Sequence, residues 1–302
     1  MEETVYRHPR HDRRAIRSLE ARSDARGLFQ LGAHFGALAL TAAAITMTRE
    51  SIWLAPAMLA HGIALVFLFS AEHETIHRTA FRSRWLNDTT AWLAGLVLLL
   101  PPAYFRYFHF AHHRHTQDLE RDPELALPKP ASFAEWLKQV SGWPYWRGQI
   151  GLLLAHARGR VTAAYIPERN RAEVTREARI FLALYLAGIV LSIVARSEVM
   201  LIYWFVPVIL GQPFLRLYLM AEHTGCPLVA DMLANSRTTL TNGAVRFIAW
   251  NMPYHAEHHA FPSVPFHGLP GLHRLLREDI QTIDCGYVAV QRTLLRGFRA
   301  SP

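Results

Sequence analysis

Histidine is the residue through which this sequence would do chemistry. Of 17 histidines in 302 residues, nine fall in four short stretches. These are His73-Glu-Thr-Ile-His77, His109-Phe-Ala-His112-His113, Glu222-His223-Thr-Gly225 and His255-Ala-Glu-His258-His259. At this histidine content one His-x-x-His-His triplet is expected by chance about 0.05 times in such a length, so two of them are signal. On a helix, positions i, i+3 and i+4 share a face. His73 therefore points with His77, and each triplet can converge. Neutral imidazole is a ligand for iron, zinc and copper. Nine imidazoles exceed one metal's capacity, whereas two metals with four or five nitrogens each would use them all.

The first stretch also fits the His-Glu-x-x-His pattern of zinc proteases, with Glu74 as general base beside a metal-bound water. That alternative leaves seven clustered histidines without a role. It also lacks an Asp in the later apolar segments to act as a third ligand.

Four long apolar runs must position these stretches: residues 29–48, 52–71, 180–195 and 199–220. A bilayer-spanning helix needs about 20 such residues. A fifth run within 89–105 is short and is interrupted by Pro101-Pro102, which suits a re-entrant or interfacial helix. The segment from Phe133 to Tyr165 mixes Trp136, Trp143, Trp146, Lys138, Arg147, Arg158 and Arg160 with apolar residues, as surface-lying amphipathic structure does. The composition, 51% apolar and 19% charged, suits a chain partly in lipid and partly in water. The expected fold is therefore an all-α integral membrane protein. It has four transmembrane helices as two hairpins, a re-entrant or interfacial helix, and a cytoplasmic helical cap holding the histidine cluster. Residues 1–27 form a basic cytoplasmic tail, 28–276 the catalytic domain and 277–302 a cytoplasmic C-terminal tail.

The net charge of +8 is placed unevenly. Arg7, Arg10, Arg13, Arg14, Arg17, Arg22 and Arg26 precede the first apolar run, and the links Arg49–Ser51 and Arg196–Glu198 are short. By the positive-inside rule both termini and the four histidine stretches face the cytoplasm. A membrane surface rather than nucleic acid is the expected partner of the basic tail. Cys226 and Cys285 are too few for a disulfide framework or an iron–sulfur cluster.

At these residues the sequence resembles the membrane fatty-acid desaturase and hydroxylase superfamily, the histidine-box di-iron enzymes, and within it the bacterial desaturase-like branch. The stretches HETIHRTAFRSRWLND, FHFAHHRHTQDLERDPEL and NMPYHAEHHAFPSVPFHGLP carry the resemblance, from Phe69 to about Leu276. It implies two iron ions held by His73, His77, His109, His112, His113, His255, His258 and His259, with His223 as the extra histidine between the second and third boxes. Zinc can replace iron on purification. It further implies O2 as co-substrate, desaturation of a fatty-acyl or other lipidic chain, and a location in a bacterial inner membrane. A separate electron donor, such as ferredoxin with its reductase, would supply electrons. Hydroxylation or ketolation of a lipid, alkane or carotenoid is the alternative within the same superfamily. Two features depart from familiar patterns: Leu219 stands where alkane hydroxylases place an Asn, and His115 is more like carotenoid ketolases. Each ligating imidazole needs an outer partner to fix its tautomer. The candidates are Glu72, Asp118, Asp122, Glu222, Asn251 and Glu257.

Overall fold

The computed structural model describes residues 13–126 and 128–300, so Arg7 and Arg10 of the basic tail lie outside the described residues. Helix α1 (Arg13–Leu19) leads into α2 (Asp24–Thr48). The Ser23 hydroxyl accepts from the Arg26 N–H at the start of α2, and Asp24 adds negative charge to its first turn. After a tight turn the chain returns as α3 (Leu54–Val66) and α4 (Leu68–Ile76), which together make one long apolar segment.

Helices α5 (Arg84–Leu98) and α6 (Pro102–His115) follow, bent by 97° at their junction. The bend has local causes. Leu99 takes a left-handed φ of 58°, and the Pro101-Pro102 pair can start a helix but cannot continue one. By length and composition the bent pair fits either a re-entrant element, the expectation for 89–105, or a broken span.

Helices α7 (Phe133–Val140) and α8 (Trp143–Ala157) precede the long α9 (Glu168–Val194) and then α10 (Val206–His223). Four segments are long and apolar enough to cross a membrane: Asp24–Thr48, Leu54–Ile76, Glu168–Val194 and Leu201–His223. Each overlaps one of the four apolar runs.

The segment α3–α4 is the central one. It packs against both α2 and α10. Its crossing with α10 is a backbone-to-backbone contact at Gly62 and Gly211. A methyl group on Gly62 would overlap the Pro207 carbonyl, and one on Gly211 would overlap the Gly62 backbone. Small residues allow this approach between membrane helices. It brings the ends of the two segments, and hence His73 and His223, to the same end of the molecule. Helix α9 stands to the side. It packs chiefly on α8 and α6, with Phe181 and Ala178 against Leu153, and meets the start of the next segment through stacked Tyr185 and Trp204 rings. Its outer face, including Leu186, Ile189, Leu191 and Ile193, is exposed, as a lipid-facing surface would be.

Beyond α10 lie short helices α11 (Met232–Asn235), α12 (Gly243–Ile248), α13 (His255–Ala260) and α14 (Leu269–Leu276). Strand β1 (Thr238–Leu240) precedes α12, and the C-terminal segment adds β2 (Ile283–Cys285) and α15 (Tyr287–Ala300). The strands pair in parallel with Thr239 opposite Asp284, and α15 packs on α10. Residues 283–298 are thus tied to the body of the molecule through β2 and α15, and α1 is tied to α14.

Candidate metal centre

Each histidine stretch sits at a helix end at the same end of the molecule. Helix α4 carries His73 and is capped by His77, the C-terminal half of α6 carries His109, His112 and His113, α10 ends on His223, and α13 carries His255, His258 and His259. The nine imidazoles form two groups. His73, His77, His109, His113 and His258 make one, and His112, His223, His255 and His259 the other. Within each group the candidate ligand atoms lie within 4.8 Å of one another.

The grouping cuts across the sequence triplets. In each triplet the i and i+4 members share a group and the i+3 member crosses to the other. Thus His109 stays with His113 while His112 leaves, and His255 stays with His259 while His258 leaves. Helix geometry explains it. Positions i and i+4 are about 40° apart around the axis, whereas i+3 lies about 60° from i on the opposite side. Convergence of whole triplets, the expectation from spacing, is corrected to this division.

The nitrogens within a group face one another. His109 Nε2 is 2.9 Å from both His77 Nε2 and His113 Nε2, and His258 Nε2 is 3.2 Å from His113 Nε2. In the second group His223 Nε2 is 3.2 Å from His112 Nε2 and 2.9 Å from His255 Nε2. Two imidazole nitrogens bound to one ion at about 2.1 Å sit about 3.0 to 3.4 Å apart at octahedral to tetrahedral angles. The observed spacings fit that pattern.

The tautomers test the fit more sharply. Asp122 Oδ1 lies 2.9 Å from His112 Nδ1 and accepts there, so Nδ1 carries a proton and Nε2 is the nitrogen turned into the group. The Asn235 carbonyl, 3.2 Å from His223 Nδ1, imposes the same tautomer. The Thr116 hydroxyl donates to the His112 carbonyl at 2.7 Å, so at 3.1 Å from His259 Nδ1 it is free to accept. His112 Nε2 and His223 Nε2 are then turned on each other, and His259 Nε2 is buried with no hydrogen-bond partner among the described residues. Imidazole nitrogens turned on one another in this way suit a shared cation. Glu222 Oε1 lies 3.4 Å from His255 Nδ1. Burial, with the neighbouring imidazoles second, holds His255, His258 and His259 well below the usual imidazole range, which keeps them in the neutral, ligating form.

The remaining candidate partners lie elsewhere. Asp118 pairs with Arg121 at the surface. Both carboxylate oxygens of Glu72 are buried without a hydrogen-bond partner among the described residues. Glu257 meets Thr238 of β1 and His273 of α14, which fastens the α13 helix to its neighbours. Asn251 has a left-handed φ of 57° and donates to the Phe266 carbonyl, 3.2 Å away. Glu74 faces the backbone N–H of Phe266 at 3.0 Å, an anchor between α4 and the loop after α13.

Several positioning groups carry no signature in the sequence. Thr116 and the Asn235 backbone hold imidazoles directly. Gln117 donates to the His223 carbonyl at 2.8 Å, and Lys129 reaches the same carbonyl at 3.2 Å. His34 of α2 accepts from the buried Trp250 indole, just ahead of the last box, and uses its other nitrogen on the Ala64 carbonyl. His61 bridges Thr41 and the Tyr203 carbonyl within the helix bundle.

With this geometry in place, likeness to known proteins becomes informative. The family model described as fatty acid desaturase matches residues 50–290. The chain is similar to a fatty acid conjugase of Calendula officinalis, 24% identical over 241 residues, which cover 68% of this chain and 63% of the relative. It is similar to an sn-1 oleoyl-lipid 12-desaturase of Anabaena variabilis, 24% identical over 237 residues, covering 75% of this chain and 56% of the relative. A 12-desaturase of the same description from Synechocystis is 24% identical over 238 residues, covering 72% of this chain and 66% of the relative. The chain thus spans 63% and 56% of the first two relatives' lengths. The matched region contains all nine clustered histidines, and the chain belongs to the fatty acid desaturase family.

Proposed function

We propose that this protein is an O2-dependent membrane oxidoreductase that desaturates the acyl chain of a lipid at a di-iron centre. The observation that carries this reading is the division of nine buried histidines into two converging groups, with three tautomers set so that Nε2 faces inward. One ion would be held by His73, His77, His109, His113 and His258, the other by His112, His223, His255 and His259. Such a pair, when bound, supplies O2 reduction and hydrogen removal from an unactivated C–H bond.

The chain's own residues do the positioning. Asp122, Thr116 and the Asn235 carbonyl fix the orientation of three rings before any metal arrives. Phe69 and Phe105, tilted against each other with ring centres 5.6 Å apart, lie next to His73 and His109 and give the centre an apolar wall against which an acyl chain can lie. Burial of the ligands excludes water, which protects a reactive centre from side reactions.

Desaturation is favoured over hydroxylation or ketolation by the relatives, whose names describe a conjugase and oleoyl-lipid 12-desaturases. The protease alternative finds little support. Glu74 is bonded to Phe266 N–H, and His73 and His77 share their space with three further histidines.

In the membrane the four apolar segments act as two antiparallel pairs, with the histidine centre in a cap on the cytoplasmic side of a bacterial inner membrane. The basic termini support that orientation. Two electrons per turnover come from a separate donor such as ferredoxin and its reductase, which a basic face attracts. Expression in a bacterial host followed by mass spectrometry of the lipid extract tests the reading. A loss of 2 Da from an acyl chain, dependent on O2 and absent in His112→Ala, is expected; added oxygen would indicate hydroxylation instead.

A further inference from the structure

On the side of the molecule formed by α8 and α9 lies an open pocket of about 470 Å³, lined by Gly159, Arg171, Thr175, Arg176, Arg179 and Ile180. Its composition changes along the helix axis. Arg171, Thr175 and Arg179 follow one another at i+4 intervals on α9, and Ile180 begins the apolar stretch that runs to Val194. The face below is exposed and apolar, with Ile180, Leu184, Val190 and Leu191 open to the surroundings.

The charge is only partly used within the protein. Arg179 donates to the Ala157 carbonyl at the end of α8 (2.8 Å), which fixes one wall. Arg171 Nε is buried and has no hydrogen-bond partner among the described residues. Glu168 approaches Arg171 at 3.6 Å but is almost fully exposed, and Glu177 turns inward to the Ala103 N–H (2.6 Å). Between residues 158 and 179 the sequence places six arginines against three glutamates. Gly159, in a left-handed turn with open space where a side chain would stand, keeps the mouth clear.

A group that satisfies three guanidinium groups and a hydroxyl while its tail meets exposed aliphatic side chains is an anionic lipid. Basic pockets beside membrane helices on the positively charged side hold such head groups, and guanidinium matches phosphate oxygens in a bidentate manner. We infer that the α8–α9 pocket binds the phosphate of an anionic phospholipid whose acyl chains lie along the exposed face of α9. None of the pocket's lining residues belongs to the histidine centre, and the inference does not depend on the chemistry there.

The test uses the full-length protein in detergent, titrated with dioleoyl phosphatidylglycerol and followed by native mass spectrometry, with dioleoyl phosphatidylcholine as the neutral comparator. Phosphatidylglycerol is expected to bind in preference. At about five-fold per arginine, Arg176→Gln should weaken it about five-fold and the Arg171→Gln/Arg176→Gln/Arg179→Gln variant about 100-fold. Binding of phosphatidylcholine should be unchanged in both. Circular dichroism establishes whether the triple variant folds; if it does not, Arg176→Gln, which leaves the Arg179–Ala157 bond in place, decides alone. Equal binding of the two lipids, or undiminished phosphatidylglycerol binding in a folded variant, overturns the inference. So does capture of inorganic phosphate without any preference between the lipids, because the pocket would then be an anion site without a lipid.

Discussion

The two histidine groups lie side by side yet are held differently. In the four-histidine group the outward nitrogens of His112, His223 and His259 face Asp122, the Asn235 carbonyl and Thr116, and Glu222 lies near that of His255. In the five-histidine group His73 Nδ1 and His258 Nδ1 are buried without a hydrogen-bond partner among the described residues, a state shared among the outward nitrogens of the other group by His255 Nδ1 alone. One group is therefore preorganised by the protein with few ligands. The other has a spare ligand and looser orientation. Ligand number and outer-sphere support are alternative ways to hold an ion, and under the proposed di-iron reading each group would rely on one of them.

Substitutions can break that comparison. The largest effect should come from His223→Ala, which leaves three nitrogens in the four-histidine group. Metal content of iron-loaded protein should fall from about two to about one per chain, and product formation should drop at least 100-fold. The matched substitution His258→Ala leaves four nitrogens, and metal content by plasma mass spectrometry should stay above that of His223→Ala. Equal losses would mean that the groups are not distinct.

Gly62→Ala comes next. It pushes α3 from α10 and so displaces the α10 ligand His223 relative to the ligands of α4. A destabilisation of about 1 to 3 kcal/mol, read as a lower thermal midpoint, should accompany reduced occupancy of the four-histidine group.

Smaller effects should follow from the outer partners. Asp122→Asn removes the charge behind His112 and should weaken metal binding in the four-histidine group about ten-fold, measured by competition with a chelator. Thr116→Val removes the acceptor for His259 and should weaken it about three-fold. Neither should change the affinity of the five-histidine group, since neither residue touches the outward nitrogens of its members.

Much of this was legible in the sequence because it rests on spacing and hydrophobicity. Four apolar segments and nine clustered histidines are local patterns, and the Pro101-Pro102 pair marks the bend between α5 and α6. The division of the histidines was not legible. Spacing shows that His109, His112 and His113 share a helix face, but which neighbour each meets depends on how α6, α10 and α13 are rotated against one another. Outer partners were legible only in part. Asp122 lies ten residues after His112 and was one of six carboxylate or amide candidates, whereas the Asn235 partner is a backbone carbonyl that any residue type would supply. Thr116 looks like an ordinary helix-end threonine. The pairing of the C-terminal segment with β1 rests on two three-residue strands, too short to show a period. The Gly62–Gly211 contact joins residues far apart in the chain, and neither glycine stands out locally.

The most direct test of the divided centre is anomalous diffraction at the iron edge from crystals of iron-loaded protein. Two peaks are expected. One should be surrounded by His73, His77, His109, His113 and His258, and the other by His112, His223, His255 and His259. A single peak, or two peaks with His109, His112 and His113 all around the same ion, would contradict it.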